Sequence, residues 1–336
     1  MRRFSAGSLP QRQQAGRTPN VKAVRAILSI LVSVGLVLTS SCSTSRPDAE
    51  PVSDAGLPSE VSINSGAGRG DALFVTLRLE SGEELPFFVD TGSTCTCLDR
   101  SLEPKLGKCL GTTLMLGYGG TVPMRSWWAP RLFLGHTPIK TGRHVYTLDC
   151  PQNASQAGIR TMGILGMDCL RHYCIQLDFA ARKMRFLDPE HPGTDLGRSF
   201  PLTSSVWSGG ASFVRHGSLV VESGSKTLVD TGCNIDGLLV PQLFEGEARQ
   251  RGAVPVLRVE GGVVKGPEPG LLSCRESVWA GETYTDLVIG ECGGSWMHRK
   301  LMGGNAIGLR FLARHQVTFN FPKGVMYLKR ISAGPL

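Results

Sequence analysis

The tripeptide Asp-Thr-Gly occurs twice in this chain, as Asp90-Thr91-Gly92 and Asp230-Thr231-Gly232, each behind a short apolar run and 140 residues apart. At ordinary residue frequencies a chain of 336 residues would hold roughly 0.07 such tripeptides by chance. A single copy suits an ordinary tight turn, in which Asp bonds locally and Gly takes a positive φ. Two copies behind apolar runs constrain the fold far more, because matching landmarks follow each of them. Ile164-Leu165-Gly166-Met167-Asp168 through Leu177-Asp178-Phe179 is paralleled by Ala306-Ile307-Gly308-Leu309-Arg310 through Phe319-Asn320-Phe321. From Asp90 to Gly166 is 76 residues and from Asp230 to Gly308 is 78, while Gly166 to Asp178 and Gly308 to Asn320 are both 12. Arg131 to Gly135 has a counterpart in Glu276 to Gly281, and Glu80-Ser81-Gly82 and Glu222-Ser223-Gly224 read as hairpin turns ahead of each motif. Internal duplication therefore organises the chain, and with two copies and no short period it predicts two similar lobes and no solenoid.

Short β-prone runs between Gly and Pro predict an all-β protein. Strands are expected at 73–79, 87–89, 113–116, 131–134, 174–179 and 184–187, and again at 218–222, 226–229, 256–259, 271–274, 285–289, 316–321 and 325–328. Helical turns are expected at 167–172 and 309–314. The divisions that follow are a leader over 1–42, a flexible linker over 43–71, an N-terminal lobe over 72–190, an inter-lobe connection over 191–213 and a C-terminal lobe over 214–330.

These features resemble the pepsin and retropepsin aspartic proteases over about residues 72 to 330, and Gly163 to Asp168 through Asp178-Phe179 is more similar to bacterial retropepsin-like members than to vertebrate pepsins. The resemblance implies a bilobal fold of two β-barrel-like lobes with an active-site cleft between them. It implies Asp90 and Asp230 as the catalytic pair, and Thr91, Gly92, Ser93, Thr231 and Gly232 as support for the two loops, the threonines bonding reciprocally across the junction. The chemistry needs this pairing: hydrolysis of an amide without a covalent intermediate calls for one group to take a proton from water and another to protonate the product side. Two carboxyls held in contact do both, because they cannot both ionise. Each Gly lets backbone approach the opposite loop without a Cβ in the way.

Two features depart from the family pattern. Ser93 follows the first motif and supplies the usual hydroxyl, but Cys233, a poor donor, follows the second. The Gly-rich run Leu116 to Thr121 is the expected flap hairpin, with Tyr118 as its candidate aromatic, yet it lies closer to Asp90 than in pepsins. That run lacks the helix and Lys that would make it a phosphate loop. Trp127 and Trp128 are expected at the flap base or cleft wall.

The formal charge of +8 arises mainly in the leader, where six basic residues and no acid precede Cys42; without them 30 basic residues face 28 acidic ones. A body so nearly neutral gives no reason to expect nucleic acid as a partner. The apolar run Ala26 to Leu38 is short for a membrane span and suits a secretory signal. Thr39-Ser40-Ser41-Cys42 resembles a bacterial lipoprotein processing site, with Cys42 as the candidate lipid attachment; ordinary cleavage and an uncleaved anchor are the alternatives. The expected location is the bacterial cell envelope, with the body on a Ser-, Pro- and Gly-rich tether facing the periplasm or exterior. Ten cysteines behind an export signal suggest disulfides, for which spacing favours Cys169 with Cys174, Cys274 with Cys292 and, more weakly, Cys97 with Cys109. No C-x2-C or helical His pair is present, so neither metal nor cofactor is expected, and no motif places a His beside Cys233 to make it a nucleophile.

The leading functional expectation is a membrane-tethered, monomeric aspartic endopeptidase acting on peptides or proteins. A peptide-binding or scaffold lipoprotein with an impaired protease fold is the alternative, and a self-processing protein is a third. A pure binder has no need of two carboxyls in close repulsion, which favours hydrolysis.

Overall fold

The structure, a computed structural model, describes residues 34–35, 59–117, 120–150, 158–204, 212–214, 227–239, 241–250, 253–260, 263–291 and 305–333. Its strands in chain order are, through the first half, Val34–Gly35 (β1), Glu60–Ser62 (β2), Phe74–Leu79 (β3), Glu84–Val89 (β4), Cys97–Asp99 (β5), Gly111–Gly117 (β6), Gly120–Trp128 (β7), Leu132–Leu134 (β8), Thr137–Pro138 (β9), His144–Leu148 (β10), Gly163–Leu165 (β11), Cys174–Asp178 (β12) and Lys183–Leu187 (β13). The second half holds Arg198–Ser204 (β14), Ser212–Val214 (β15), Thr227–Asp230 (β16), Gly237–Leu239 (β17), Val254–Glu260 (β18), Val263–Trp279 (β19), Glu282–Glu291 (β20), Asn305–Gly308 (β21), His315–Asn320 (β22) and Val325–Arg330 (β23). Helices are short: Met167–Leu170 (α1), Pro241–Gln250 (α2) and Leu309–Leu312 (α3). The protein is all-β, as its sequence predicts.

The duplication extends to topology. In the first half the sheet runs β6-β7-β10-β5-β11-β4-β3, and in the second β18-β19-β20-β17-β21-β16-β15. Each half contains the same two parallel pairings, β4 with β11 and β5 with β10 in one, β16 with β21 and β17 with β20 in the other. Strands β5, β11, β16, β17 and β21 are buried along their whole length, which is why they show no alternation of apolar and exposed polar residues. Within β4 and β16 alternate residues serve different layers. Val89 and Val229 enter the main core, while Phe88 and Leu228 enter a satellite cluster in their own half.

An antiparallel sheet, β14-β23-β22-β12-β13-β2, joins the halves, with Cys174 opposite Asn320 and Leu177 opposite Val317. The two segments that match in sequence downstream of each motif are thus direct neighbours in space. Across their seam Gln176 Nε2 donates to Thr318 Oγ1 at 3.1 Å.

At two expected segments the structure shows more order than the sequence suggests. The tether expected over 43–71 ends sooner, because β2 pairs with β13 and the turn Ser65–Arg69 buries Gly66 and Ala67. Small residues there serve close packing: Gly70, at φ 74°, lies where a Cβ would come within 2.4 Å of the Arg310 Cα. The connection expected over 191–213 contributes β14, a ladder strand between β23 and β15. Helix α2, with no sequence expectation, covers a stretch whose polar composition hid it. The strand expected over 218–222 lies outside the described residues. Val34–Gly35, within the leader's apolar run, pairs with Leu116 and Met115 of β6, and no described helix is long and apolar enough to cross a membrane.

Candidate active site

Strands β4 and β16 end at the two motifs, and the β-sheet fixes where each Asp emerges. Asp90 N–H donates to the Leu165 carbonyl at 3.1 Å, and Asp230 lies opposite Gly308 in the β16–β21 ladder. Three residues past each Asp the loops are anchored alike: Met167 N–H donates to Ser93 O at 2.8 Å, and Leu309 N–H to Cys233 O at 2.6 Å. Gly166 and Gly308 are required by this contact, since a Cβ at Gly166 would sit 2.4 Å from Cys95 O and one at Gly308 2.1 Å from Ile235 O. The apolar-apolar-Gly strands do pack beneath the loops.

The loops face each other across the halves with near-twofold symmetry. Thr91 N–H donates to Thr231 Oγ1 and Thr231 N–H to Thr91 Oγ1, both at 3.0 Å. Thr91 Oγ1 donates onward to Val229 O at 2.6 Å, and Thr231 Oγ1 to Val89 O at 2.8 Å. Four buried hydrogen bonds thereby clamp the motifs together. The glycines set the spacing between them: a Cβ on Gly92 would fall 2.6 Å from Asp230 Oδ1, and one on Gly232 2.6 Å from Asp90 Oδ1. No other residue type fits without parting the carboxyls.

Asp90 and Asp230 are both fully buried, and each carboxyl lies against the glycine of the opposite motif. Oδ1 of Asp90 accepts from Gly92 N–H at 2.8 Å and Ser93 N–H at 3.1 Å; Oδ1 of Asp230 accepts from Gly232 N–H at 2.8 Å. The two Oδ2 atoms have no hydrogen-bond partner among the described residues. Burial raises the affinity of both for protons. Asp90 is pushed furthest, by burial first and then by the charge of Asp230. Asp230 is pushed up by burial to about 6, with Asp90 and backbone donors at Gly232 and Cys233 opposing the rise. The pair therefore releases its protons in steps that belong to both carboxyls, at pH values above those of ordinary carboxyls.

The hydroxyl of Ser93 has a different partner from the one expected: it donates to Cys95 O at 2.9 Å, and Ser93 reaches Asp90 through its backbone N–H. Cys233, fully buried, occupies the equivalent place. Neither half thus needs a hydroxyl on its Asp, because the backbone amides of the loop supply the donors. Tyr118 and Cys42 lie outside the described residues; the β6 and β7 arms flanking Tyr118 pair as far as Gly117 with Gly120. Trp127 is buried at the base of that hairpin, its Nε1 donating to Thr147 Oγ1 at 3.0 Å, and Trp128 stacks on His144.

Beneath the loops lies a second layer with no sequence expectation. Thr96 Oγ1 donates to Asp168 Oδ1 at 2.7 Å in the first half, while in the second Asp236 meets Arg314 at 2.9 Å and Arg310 at 3.0 Å. The signal was positional: Thr96 and Asp236 each lie six residues past the motif Asp, and Asp168 and Arg310 each two past the loop Gly. No disulfide joins any two described cysteines, so Cys169 with Cys174 and Cys97 with Cys109 are not bonded, and Cys292 lies outside the described residues. No group of three metal-ligating side chains converges among the described residues.

No family model matches the chain, and no curated protein matches it. Among solved structures the chain is similar to basic 7S globulin from soybean, with a TM-score of 0.48 and 13% identity over 82% of this chain and 95% of that one.

Proposed function

We propose that the protein is an aspartic endopeptidase of bilobal, pepsin-like architecture, tethered to the bacterial envelope by its leader, that hydrolyses peptide bonds with water activated between Asp90 and Asp230. The observation that carries this reading is the pair of fully buried carboxyls at the ends of equivalent strands, each packed on the other motif's glycine and clamped by Thr91 and Thr231. Ionised Asp230 takes a proton from the attacking water while Asp90 gives its proton to the scissile carbonyl oxygen; the tetrahedral intermediate then collapses as the leaving nitrogen is protonated from the pair. Burying two carboxyls this close costs stability, and a structural role would be met as well by Asn or Ser. The Thr clamp and the two glycines hold the reacting groups at one separation, which is where most of the gain from orientation arises.

A peptide library incubated between about pH 4 and 7, with and without pepstatin, tests the reading. Cleavage is expected, blocked by pepstatin and abolished separately by Asp90→Asn and Asp230→Asn. The second reading is a peptide-binding protein with an impaired protease fold. Peptides bound but left intact by the wild-type chain would establish that reading instead.

A further inference from the structure

Five residues past Asp90 the chain reads Cys95-Thr96-Cys97, and the two sulfurs lie 3.8 Å apart. Cys95 lies in the bend that leads into β5, and Cys97 is that strand's first residue. The two cysteines differ in every other respect. Cys97 is fully buried at the start of β5, which pairs on one side with β10 and on the other with β11, so its backbone is held. Cys95 precedes the strand, is partly exposed, and is the member that an outside reagent meets first. Its carbonyl is also part of the catalytic loop's support, accepting from Ser93 Oγ at 2.9 Å and lying against Gly166.

We propose that Cys95 and Cys97 form a redox-active dithiol, and that its oxidation to an intraloop disulfide displaces the backbone supporting Asp90. The Cys95 thiolate attacks a disulfide oxidant such as oxidised glutathione and expels one thiolate. The Cys97 thiolate then attacks the sulfur of Cys95 in that mixed disulfide and expels the second. Two protein thiols lose two protons and two electrons, and the oxidant is reduced to two thiols. A disulfide needs its sulfurs about 2 Å apart. Nearly half of the present separation must therefore be closed, and with Cys97 held in the ladder the movement falls on Cys95 and on the carbonyl that Ser93 and Gly166 fix. The activity consequence rests on the protease reading above; the disulfide itself does not.

The test is to treat the full chain with oxidised glutathione, alkylate, digest and map, alongside hydrogen exchange and peptidase turnover before and after. Expected are a peptide carrying Cys95 and Cys97 that has lost two hydrogens and resists alkylation, faster exchange over residues 90 to 97, and turnover reduced about tenfold or more and restored by dithiothreitol. Turnover by Cys95→Ser, whatever its starting value, is expected not to respond to the oxidant. Alkylation of both cysteines after oxidation, or either of them joined to a different cysteine, would overturn the proposal, as would a disulfide that leaves exchange of the loop unchanged. If the reduced chain cleaves no peptide, the protease reading fails, while mapping and exchange still decide the dithiol.

Discussion

The two halves of the molecule build one Asp-Thr-Gly layer in the same way and support it in opposite ways. Above, each Asp, Thr and Gly has a counterpart with the same partners at nearly the same distances. Below, the first half uses a neutral hydroxyl on a part-buried carboxylate, Thr96 to Asp168, with Gly142 N–H as a further donor at 3.3 Å. The second half exchanges the polarity and adds charge. Asp236 is fully buried, accepts from Val288 N–H at 2.7 Å, and is paired with Arg314, itself wholly buried. Arg314 spends its remaining donors on the carbonyls of Thr285, Ala333 and Asp286, so this one side chain ties the loop support to β20 and to the C-terminal tail. Burial pushes the Asp236 carboxyl up and the Arg314 guanidinium down, and their mutual charge and hydrogen bonds oppose both movements. Symmetry is kept where the two carboxyls meet and is dropped in the layer that supports them.

Removing one partner of the charged support is expected to have the largest effect. Asp236→Ala leaves Arg314 buried and uncompensated and should lower the unfolding free energy by about 3–5 kcal/mol, measured by urea denaturation. Asp168→Ala should cost only about 1–2 kcal/mol, the worth of its hydrogen bonds. Equal losses would erase the contrast between the two supports.

Next in size are paired substitutions that ask whether the Asp-Thr-Gly layer is as symmetric in function as in geometry. Gly92→Ala and Gly232→Ala each drive a methyl into the opposite Asp, and each should reduce kcat/KM by about 100-fold through misplacement of the carboxyls. A tenfold or larger difference between them, on the order of 1.4 kcal/mol, would mean that one half dominates. Thr91→Val and Thr231→Val remove an acceptor and a donor from the clamp and should each destabilise by about 1–3 kcal/mol, by equal amounts, with Thr→Ser at either site costing less.

The gentlest expected effect is a slope. Both catalytic carboxyls bind protons more tightly folded than unfolded, so their contribution to stability is full below the ordinary carboxyl pKa of 3.8 and is lost as pH rises through about 6, where Asp230 ionises, and beyond. The unfolding free energy should fall across that window by at most about 1.4 kcal/mol per pH unit for each proton. Asp90→Asn with Asp230→Asn should flatten the slope, and an unchanged slope in the double variant would assign it to other groups. Asp168 and Asp236, also pushed up by burial, are those other groups, one in each support.

Much of this architecture was legible because duplication leaves a spacing that composition alone does not. Both motifs, the paired glycines and most strands are readable from residue order, and the strands expected at 113–116 and 271–274 fall inside longer ones, Gly111–Gly117 and Val263–Trp279. What was misread shares one cause: segments whose order depends on a partner far along the chain. Glu60–Ser62 has the composition of a tether until Lys183–Leu187 offers it hydrogen bonds, and Arg198–Ser204 reads as a connector until Val325–Arg330 pairs with it. Arg314 was invisible for the same reason, because an arginine at the end of an apolar helix is ordinarily solvated and only Asp236, 78 residues earlier, makes its burial tolerable.

Residue order alone settled that two equivalent strands would each deliver an Asp-Thr-Gly turn, since local backbone preferences and the repeat are written in neighbouring residues. The tertiary structure decided that the two turns meet, that Ser93 bonds Cys95 and leaves Asp90 to backbone amides, and that one support is charged and the other is not. The meeting of the turns and the two supports depend on contacts between residues about 70 to 140 positions apart, whose energies come from burial and hydrogen bonding in a shared interior that no stretch of sequence contains by itself.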